Sequence, residues 1–491
     1  MIAVLPKRVH GLVGLVAWLV ASIVPALALA QETTHNTAEP TRLERSLALD
    51  YWDESRFAKF AHRLPLSIDE EQELHRLVAR LGTFDRRVFY ASTPKPTTLA
   101  ELLDDPDSFR GAFIRWEGEI VSDTPPATDA GNVHQCRAKA SDGECVIYSS
   151  SVPAKWDPAS PANRKIAVEG IFVKIDEQGD KLVPLIAAAN LEWFPTEWNP
   201  PQVNYGMSVL GVMGVDVSLL DNVQHRQPLT SRETIAFYRL LASMKETPAS
   251  QLINWADRQM PRHRQTWTEK TKEGDKAHRA VAQQVVSLAR YNSYAVAPFF
   301  NLPAEQEGEL VTFDGVVRRA LRVEVASDVD ADACGIDHYY ELALFTSDSA
   351  NNPVMFSVLE LPDGFPEGED IRESVRVAGF FFKNWRYTSR HADGQLRLAP
   401  LFVGRSPLQV TPASENPIWG WVAGLGFIGI VLLLWIFVWL RTRADNRFEA
   451  QTLSRMREPP ELFDAEDAEL LAGLADEPKT PSSDNPTNQS Q

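Results

Sequence analysis

The sequence predicts an α+β chain, mainly β with helical segments: two tandem units, each a small helical segment followed by a small β-barrel, and then one transmembrane helix. Three observations predict it. A helix-start pattern occurs twice, His62-Arg63-Leu64-Pro65-Leu66-Ser67 matching His225-Arg226-Gln227-Pro228-Leu229-Thr230, and the match continues through Glu70/Glu233, Arg76/Arg239, Leu77/Leu240 and Ala79/Ala242. Each copy is followed by β-type segments that also match, Phe113 to Ile120 with Leu310 to Val317 and Val168 to Lys174 with Val377 to Lys383. An uncharged apolar stretch from Ile418 to Leu440 is long enough to cross about 30 Å of hydrocarbon. Self-similarity of this kind fixes an architecture before individual residues are weighed.

In chain order, residues 1–30 read as a secretory signal peptide. Lys7 and Arg8 form a positive start, Leu12 to Val24 is apolar, and Ala28-Leu29-Ala30 is a small-x-small cleavage site before Gln31. Residues 31–45 form a polar leader and 46–98 a first helical segment. There Ser67 with Glu70 reads as a capping box, and Leu74, Leu77, Val78 and Leu81 form the buried stripe of a helix. His62 reads as part of the turn before that helix rather than as a ligand.

Residues 99–195 are expected to form the first barrel. Its strand patterns contain Gly118 and Gly170, as the later ones contain Gly315 and Gly379, and glycine inside a strand marks a bulge or a barrel corner. Residues 196–214 read as a linker, with Pro200 and Pro201 inside it. The second helical segment spans 215–302. It has its own capping box, Thr230 with Glu233, its own stripe, Phe237, Leu240, Leu241 and Met244, and an extra helix over 276–290 without a counterpart. The second barrel spans 303–410.

The transmembrane helix spans 417–440, with Trp419, Trp421, Trp435 and Trp439 towards its ends as interfacial aromatics. Arg441, Arg443 and Arg447 follow, which places the acidic tail, 441–491, in the cytoplasm. A bacterial cytoplasmic membrane is the expected location, with the body periplasmic, since the exported part has no N-glycosylation acceptor of the N-x-S/T type.

The run Leu102 to Gly111, followed by the strand Ala112 to Val121, resembles the opening of bacterial exported OB-fold domains. In those, a short helix, a D/N-P-x-x-[YF]-x-G turn and a strand with an internal glycine follow one another. The second copy keeps Gly308 and Phe313 to Val317 but not the Pro-x-x-Phe lead. The resemblance implies OB-like barrels and names no ligand, because such barrels bind oligonucleotides, oligosaccharides and proteins alike.

The chemistry visible in the sequence is sparse. The chain carries 49 basic and 66 acidic residues, net −17, without the concentrated basic face that phosphate backbones need, so nucleic acid is not expected as a ligand. No nucleophile elbow, zincin helix, phosphate loop or dinucleotide fingerprint occurs, so no catalytic residue and no cofactor is expected. Cys136 and Cys145 flank a hairpin turn and are disulfide candidates in an oxidising compartment; Cys334 is left over. Asp328, Asp330 and Asp332 begin like a calcium loop, but Ala333 and Tyr339 stand where Gly and Glu are required. Trp385 and Tyr387 are the candidate binding-surface aromatics. Gly420 and Gly424 have the spacing of a close helix–helix contact and mark a candidate homodimer.

The expected function is therefore a non-enzymatic envelope scaffold or binding module. It would be held in lipid by one helix and recruit a protein partner outside, with a second contact available to the tail. Two weak sites in one chain would gain from effective concentration. An envelope polysaccharide-binding protein is one alternative. The other is an enzyme whose site is assembled from distant residues, for which a pocket of Asp, Glu or His with displaced pKa values would be the sign.

Overall fold

The computed structural model describes residues 41–455, apart from 86–87, 90–91, 93, 127–132, 157–162, 200–201, 273–274, 326–328, 389–395 and 411–416. The side chains of 329, 330, 388, 417–420 and 444–455 are likewise outside the description. The segments expected as signal peptide and leader (up to residue 40) and as tail beyond Arg455 lie outside the described residues.

The first half opens with α1 (Arg42–Leu49) and α2 (Ile68–Thr83), both started by a complete capping box, Thr41 with Glu44 and Ser67 with Glu70. Two short helices follow, α3 (Leu99–Asp104) and α4 (Pro106–Phe109), the latter with proline in its first turn, where its missing N–H costs nothing. Five strands come next: β1 (Phe113–Thr124), β2 (His134–Ala140), β3 (Gly143–Ser151), β4 (Lys165–Gln178) and β5 (Lys181–Asn190). They pair in the order β1-β2-β3-β5-β4, and β4 pairs back onto β1, so the sheet closes into a barrel. Only β3 and β5 run parallel. Closure leaves no ring edge to aggregate.

The apolar residues of these strands face two ways. Ile114, Trp116, Ile147, Val168, Phe172 and Ile186 fill the barrel. Phe113, Val146, Ile171, Val173 and Leu185 point outward and are covered by α1 and α2 through Leu43, Leu47, Leu74, Leu77, Val78 and Leu81. That double burial explains why β4 reads as a nearly continuous apolar run rather than as a simple alternation.

The stretch expected as a linker, 196–214, contains a buried helix. After a short strand at Glu192–Trp193, α5 (Tyr205–Val212) is buried on almost every side, because Gly206-Met207-Ser208-Val209-Leu210-Gly211 offers an apolar surface all round. A β-carbon on Gly206 would lie 1.9 Å from the carbonyl oxygen of Gly308, and one on Gly211 would lie 2.0 Å from that of Pro195. The two glycines seat α5 between the end of the first barrel and the start of the next ring.

The second half continues with α6 (Thr234–Ser243), α7 (Ala249–Lys270), α8 (Lys276–Ala289), α9 (Ala297–Asn301) and α10 (Pro303–Gln306). The strands β6 (Leu310–Glu324) and β7 (His338–Phe345) flank α11 (Val329–Cys334); β8 (Val354–Val358), β9 (Glu373–Thr388) and β10 (Leu396–Gly404) complete the set. Their order is β6-β7-β8-β10-β9, with β9 paired to both β10 and β6 and only β8–β10 parallel. Position by position this is the pairing order of the first ring. The helix expected over 276–290 is α8.

Two expectations need correction. The second capping box is incomplete: α6 starts at Thr234, because the Thr230 hydroxyl donates to the Glu233 carboxylate instead of accepting from its N–H. The proline lead thought lost from the second copy is present in geometry. Leu302 and Pro303 occupy the cap and first turn of α10 as Asp105 and Pro106 do for α4, with Leu302 at φ −127° and Asp105 at φ −131°. Gly308 follows at φ +71° as Gly111 does at φ +80°, while the motif's aspartate and phenylalanine are replaced, by Leu302 and Gln306.

A matched clasp fixes each helix start to its ring. His62 accepts from the N–H of Ile175 (3.0 Å) and stacks on Phe172; His225 accepts from the N–H of Asn384 (3.2 Å) and stacks on Phe381. Arg63 and Arg226, both with positive φ, donate their N–H groups back to Ile175 and Asn384. The carboxylate of Glu70 meets Lys174 at 3.1 Å, and that of Glu233 meets Lys383 at 2.8 Å, with both lysine side chains fully buried. Burial works against ionisation of Glu70, but the amides of Ser67 and Ala61 together with Lys174 hold its pKa below the usual range. Burial lowers the pKa of Lys383, opposed by Glu233.

One apolar cluster runs through the interiors of both rings and α5, and the described residues up to Val410 pack as one unit. A second unit begins at Thr411 and contains α12 (Pro417–Arg455), in which Trp421–Arg443 is a 23-residue apolar span of mean hydropathy 2.5. This long apolar helix, the one of its kind among the described residues, is compatible with a single-pass membrane protein.

Candidate functional site

The sequence-derived candidates do not converge. Cys136 and Cys145 are buried free thiols on neighbouring strands, and the register sets Cys136 opposite Ile147 and Cys145 opposite Ala138, so the two are offset. Cys136 donates instead to Asp123 (3.4 Å), and burial raises both thiols well above their usual value. Residues 329–334 form α11; Asp328 and the side chain of Asp330 lie outside the described residues, and among the described residues no group of three or more His, Cys, Asp or Glu is placed to hold a metal ion. Trp385 and Tyr387 stand side by side on β9, ring centroids 5.8 Å apart and planes 32° from parallel, but are half-buried against the core rather than displayed. Gly424 has open space around it; the surroundings of Gly420 are not described.

A different site emerges where the two halves meet. A cavity of about 330 Å³ opens between one face of α7, the α10–β6 connection, the segment before α5, and the loop after β3. The α7 face carries Gln259, His263, Thr266, Trp267 and Lys270, spaced to lie along one side of a helix. The α10–β6 connection supplies Gln306 and Glu309, the segment before α5 supplies Trp198 and Asn204, and the loop after β3 supplies Lys155.

The cavity floor is polar and its polarity is unspent. Gln259, His263, Gln306 and Glu309 are only 4%, 7%, 4% and 7% exposed. Within the described residues none of these four side chains makes a hydrogen bond. His263 Nδ1 and Glu309 Oε1 approach no closer than 3.9 Å. The described polar side-chain atoms that are fully enclosed without a partner lie elsewhere, at Trp156, Asn163, Asp176, Arg319 and Asn384. The four floor side chains are instead low in exposure but open to the cavity, where a ligand could take up their hydrogen-bonding capacity. Burial drives His263 and Glu309 to their neutral forms: the imidazole is pulled down to about 3 and the carboxyl pushed up to about 8.

The rim, in contrast, is charged and paired. Glu305 bridges Lys270 (2.9 Å) and His278 (3.1 Å), which overcome its burial and keep it ionised. Lys270 also lies 4.6 Å over the ring of Trp267, and Arg262 lies 5.8 Å over that of Trp198. Glu307 takes Lys155 of the first half at 2.7 Å and His225 of the second at 3.0 Å, and these outweigh its burial to hold it ionised. The backbone carbonyl of Glu307 accepts from Asn204. These contacts tie the first ring, α5 and the second ring together around the mouth.

In the clasp of the first half, Arg110 stands where Glu307 stands in the second, each one residue before Gly111 or Gly308. Arg110 donates to His62 (2.8 Å); burial, and after it the Arg110 charge, pull His62 down to about 4. The cross-half tether therefore exists in one direction only.

Sequence reading missed the floor residues because they are scattered over two elements and belong to no motif. One signal was present: Gln259, His263 and Trp267 recur every four residues inside a helix otherwise rich in charge.

No family model matches the chain, and no curated protein matches it. Among solved structures it is similar to an aspartyl-tRNA synthetase from Entamoeba histolytica, at 9% identity and a TM-score of 0.15, over 51% of this chain and 50% of that one. It is similar to a second such structure, from Leishmania major Friedlin, at 8% identity and a TM-score of 0.15, over 51% and 46%. The chain thus spans about half the length of these structures, and likeness at that level carries no functional argument.

Proposed function

We propose that this chain is a membrane-anchored scaffold of the bacterial envelope that acts by binding. In this reading two tandem OB-like units are exported behind a cleaved signal, held by α12, and shaped around the cavity at their junction. The matched ring orders, the matched clasps and the glycines at equivalent strand positions support the tandem reading. The Arg-rich end of the apolar helix supports a cytoplasmic tail and a periplasmic body. Recruitment of an envelope protein partner is the role such a scaffold would serve.

The observation that carries the binding role is the set of four side chains, Gln259, His263, Gln306 and Glu309, each less than a tenth exposed and without a hydrogen bond to the described residues, that line one concavity built from both halves. The displaced pair His263 and Glu309 is what an assembled enzyme site would also display, and it favours that second reading. Binding is preferred because the other acidic side chains at the cavity, Glu305 and Glu307, are held by cationic partners. No free carboxylate is left among the described lining residues to work opposite Glu309.

The test is native mass spectrometry of the full chain released from its own membrane in mild detergent. A retained small-molecule mass at one per chain, absent from the cavity-filling variant Ala304→Trp, is the expected result. A mass equal to the processed polypeptide in both proteins would overturn the binding reading.

A further inference from the structure

The charge pattern of the cavity carries the reading one step further, to the class of ligand, and it rests on the binding role proposed above. A charged ligand needs an opposite charge where it is buried, because an unpaired ion in a dry site is costly. The cations near this cavity sit at its mouth, already engaged: Lys270 with Glu305, Lys155 with Glu307, and Arg262 over Trp198. The floor offers two carboxamides, an imidazole and a carboxyl that burial keeps uncharged. Each carboxamide presents both donors and acceptors, and a neutral carboxyl and a neutral imidazole each present one of each. That is the complement of hydroxyl groups, which also donate and accept.

The wall offers the rest. Trp267 borders the cavity beside Thr266, but it is only 4% exposed, packs against Val281, Ala282 and Val285, and has Lys270 over its ring, so it contributes an apolar border rather than a free ring face. The volume, about 330 Å³, lies at the lower end of ligand pockets, which start near 300 Å³.

We propose that the cavity binds a neutral sugar residue, with its hydroxyls on Gln259, Gln306, His263 and Glu309 and Trp267 at its apolar border. An amine would require Glu309 ionised in a site that disfavours it. A uronic or phosphorylated sugar would require a floor cation where none is found among the described lining residues.

The experiment uses the full chain in nanodiscs and saturation-transfer NMR with matched probes: glucose and N-acetylglucosamine as neutral rings, glucosamine as a cation, glucuronate as an anion. Transfer to a neutral ring, weakened at least tenfold in affinity by Gln259→Leu and by Gln306→Leu, is the expected result. Both substitutions keep the side-chain size, and an unchanged unfolding temperature shows that the fold is kept. Trp267→Phe should weaken binding less than Trp267→Ala. Transfer only to glucosamine or glucuronate, to no probe, or to all probes equally in wild type and variants, would overturn the sugar assignment. A retained mass in the native spectrum together with any of these would leave the binding role standing and remove only the sugar.

Discussion

At the scale of single residues, the two clasps show how alike and how different the halves are. Lys383 and Glu233 are both wholly buried, whereas Glu70, opposite Lys174, keeps about a tenth of its side chain in water. Removing one partner of a buried pair typically costs about 3–5 kcal/mol, since the other charge is stranded. Lys383→Met should approach that loss, and Lys174→Met should cost less, because Glu70 retains the amides of Ala61 and Ser67 as well as solvent. Thermal unfolding of the full chain in detergent checks the order. Glu309 gives a pH signature. Its pKa is raised from 4.5 to about 8, so the folded state holds the proton more tightly than the unfolded one. The stability tied to that proton is fully present below pH 4.5 and is lost as pH rises through 8. Glu309→Gln should therefore leave stability unchanged near pH 4 and raise it at pH 9, as read by a pH series of unfolding temperatures. A variant that tracked wild type across the range would mean that Glu309 ionises normally.

At the scale of elements, what the sequence made legible and what it hid divide along physical lines. The strands and the helix Ile68–Thr83 were legible because their signals are local: a capping box, a 3.6-residue stripe, and glycines repeated at equal places. Those glycines are explained by ring closure. A β-carbon on Gly118 would lie 2.6 Å from the carbonyl oxygen of Lys139, and one on Gly315 would lie 2.5 Å from that of Phe345, the neighbouring strand in each ring. Gly118→Ala and Gly315→Ala should each destabilise the fold by about 1–3 kcal/mol, the range of overpacked interiors, and urea titrations would register it as a lower midpoint at constant slope. The helix Tyr205–Val212 was hidden because prolines before it read as a linker, and its burial depends on two ring ends that are distant in sequence. The 22-residue α7 was hidden by its charge, since Arg and Gln dilute an apolar stripe that Leu252, Ala256, Met260 and Trp267 nonetheless form. The cavity was hidden for a related reason: its floor needs Gln259 and Glu309 brought together, and no spacing in the chain announces that.

At the scale of the whole molecule, the apolar span Trp421–Arg443 sets the framework in which the body would work. If the body is outside and the tail inside, a phosphatase reporter fused after Leu408 should be active and one fused after Arg455 inactive. The reverse pattern would invert the proposed topology. A body that packs as one unit through Val410 also changes how the halves should be regarded. They are joined by α5 and by the Lys155–Glu307 contact, so neither half is expected to keep its shape alone.

The helix α7 belongs to the second half only, and one face of it furnishes a wall of the cavity. The rings come twice, but among the described residues the recess built on α7 comes once. Saturation should therefore be reached at a single ligand per chain, and two sites within one polypeptide cannot reinforce each other. If the chain is membrane-anchored as proposed, any gain from valency must come from lateral crowding of separate copies in the plane of the membrane, and the strength of attachment to a polymeric surface would rise with the number of chains per unit area.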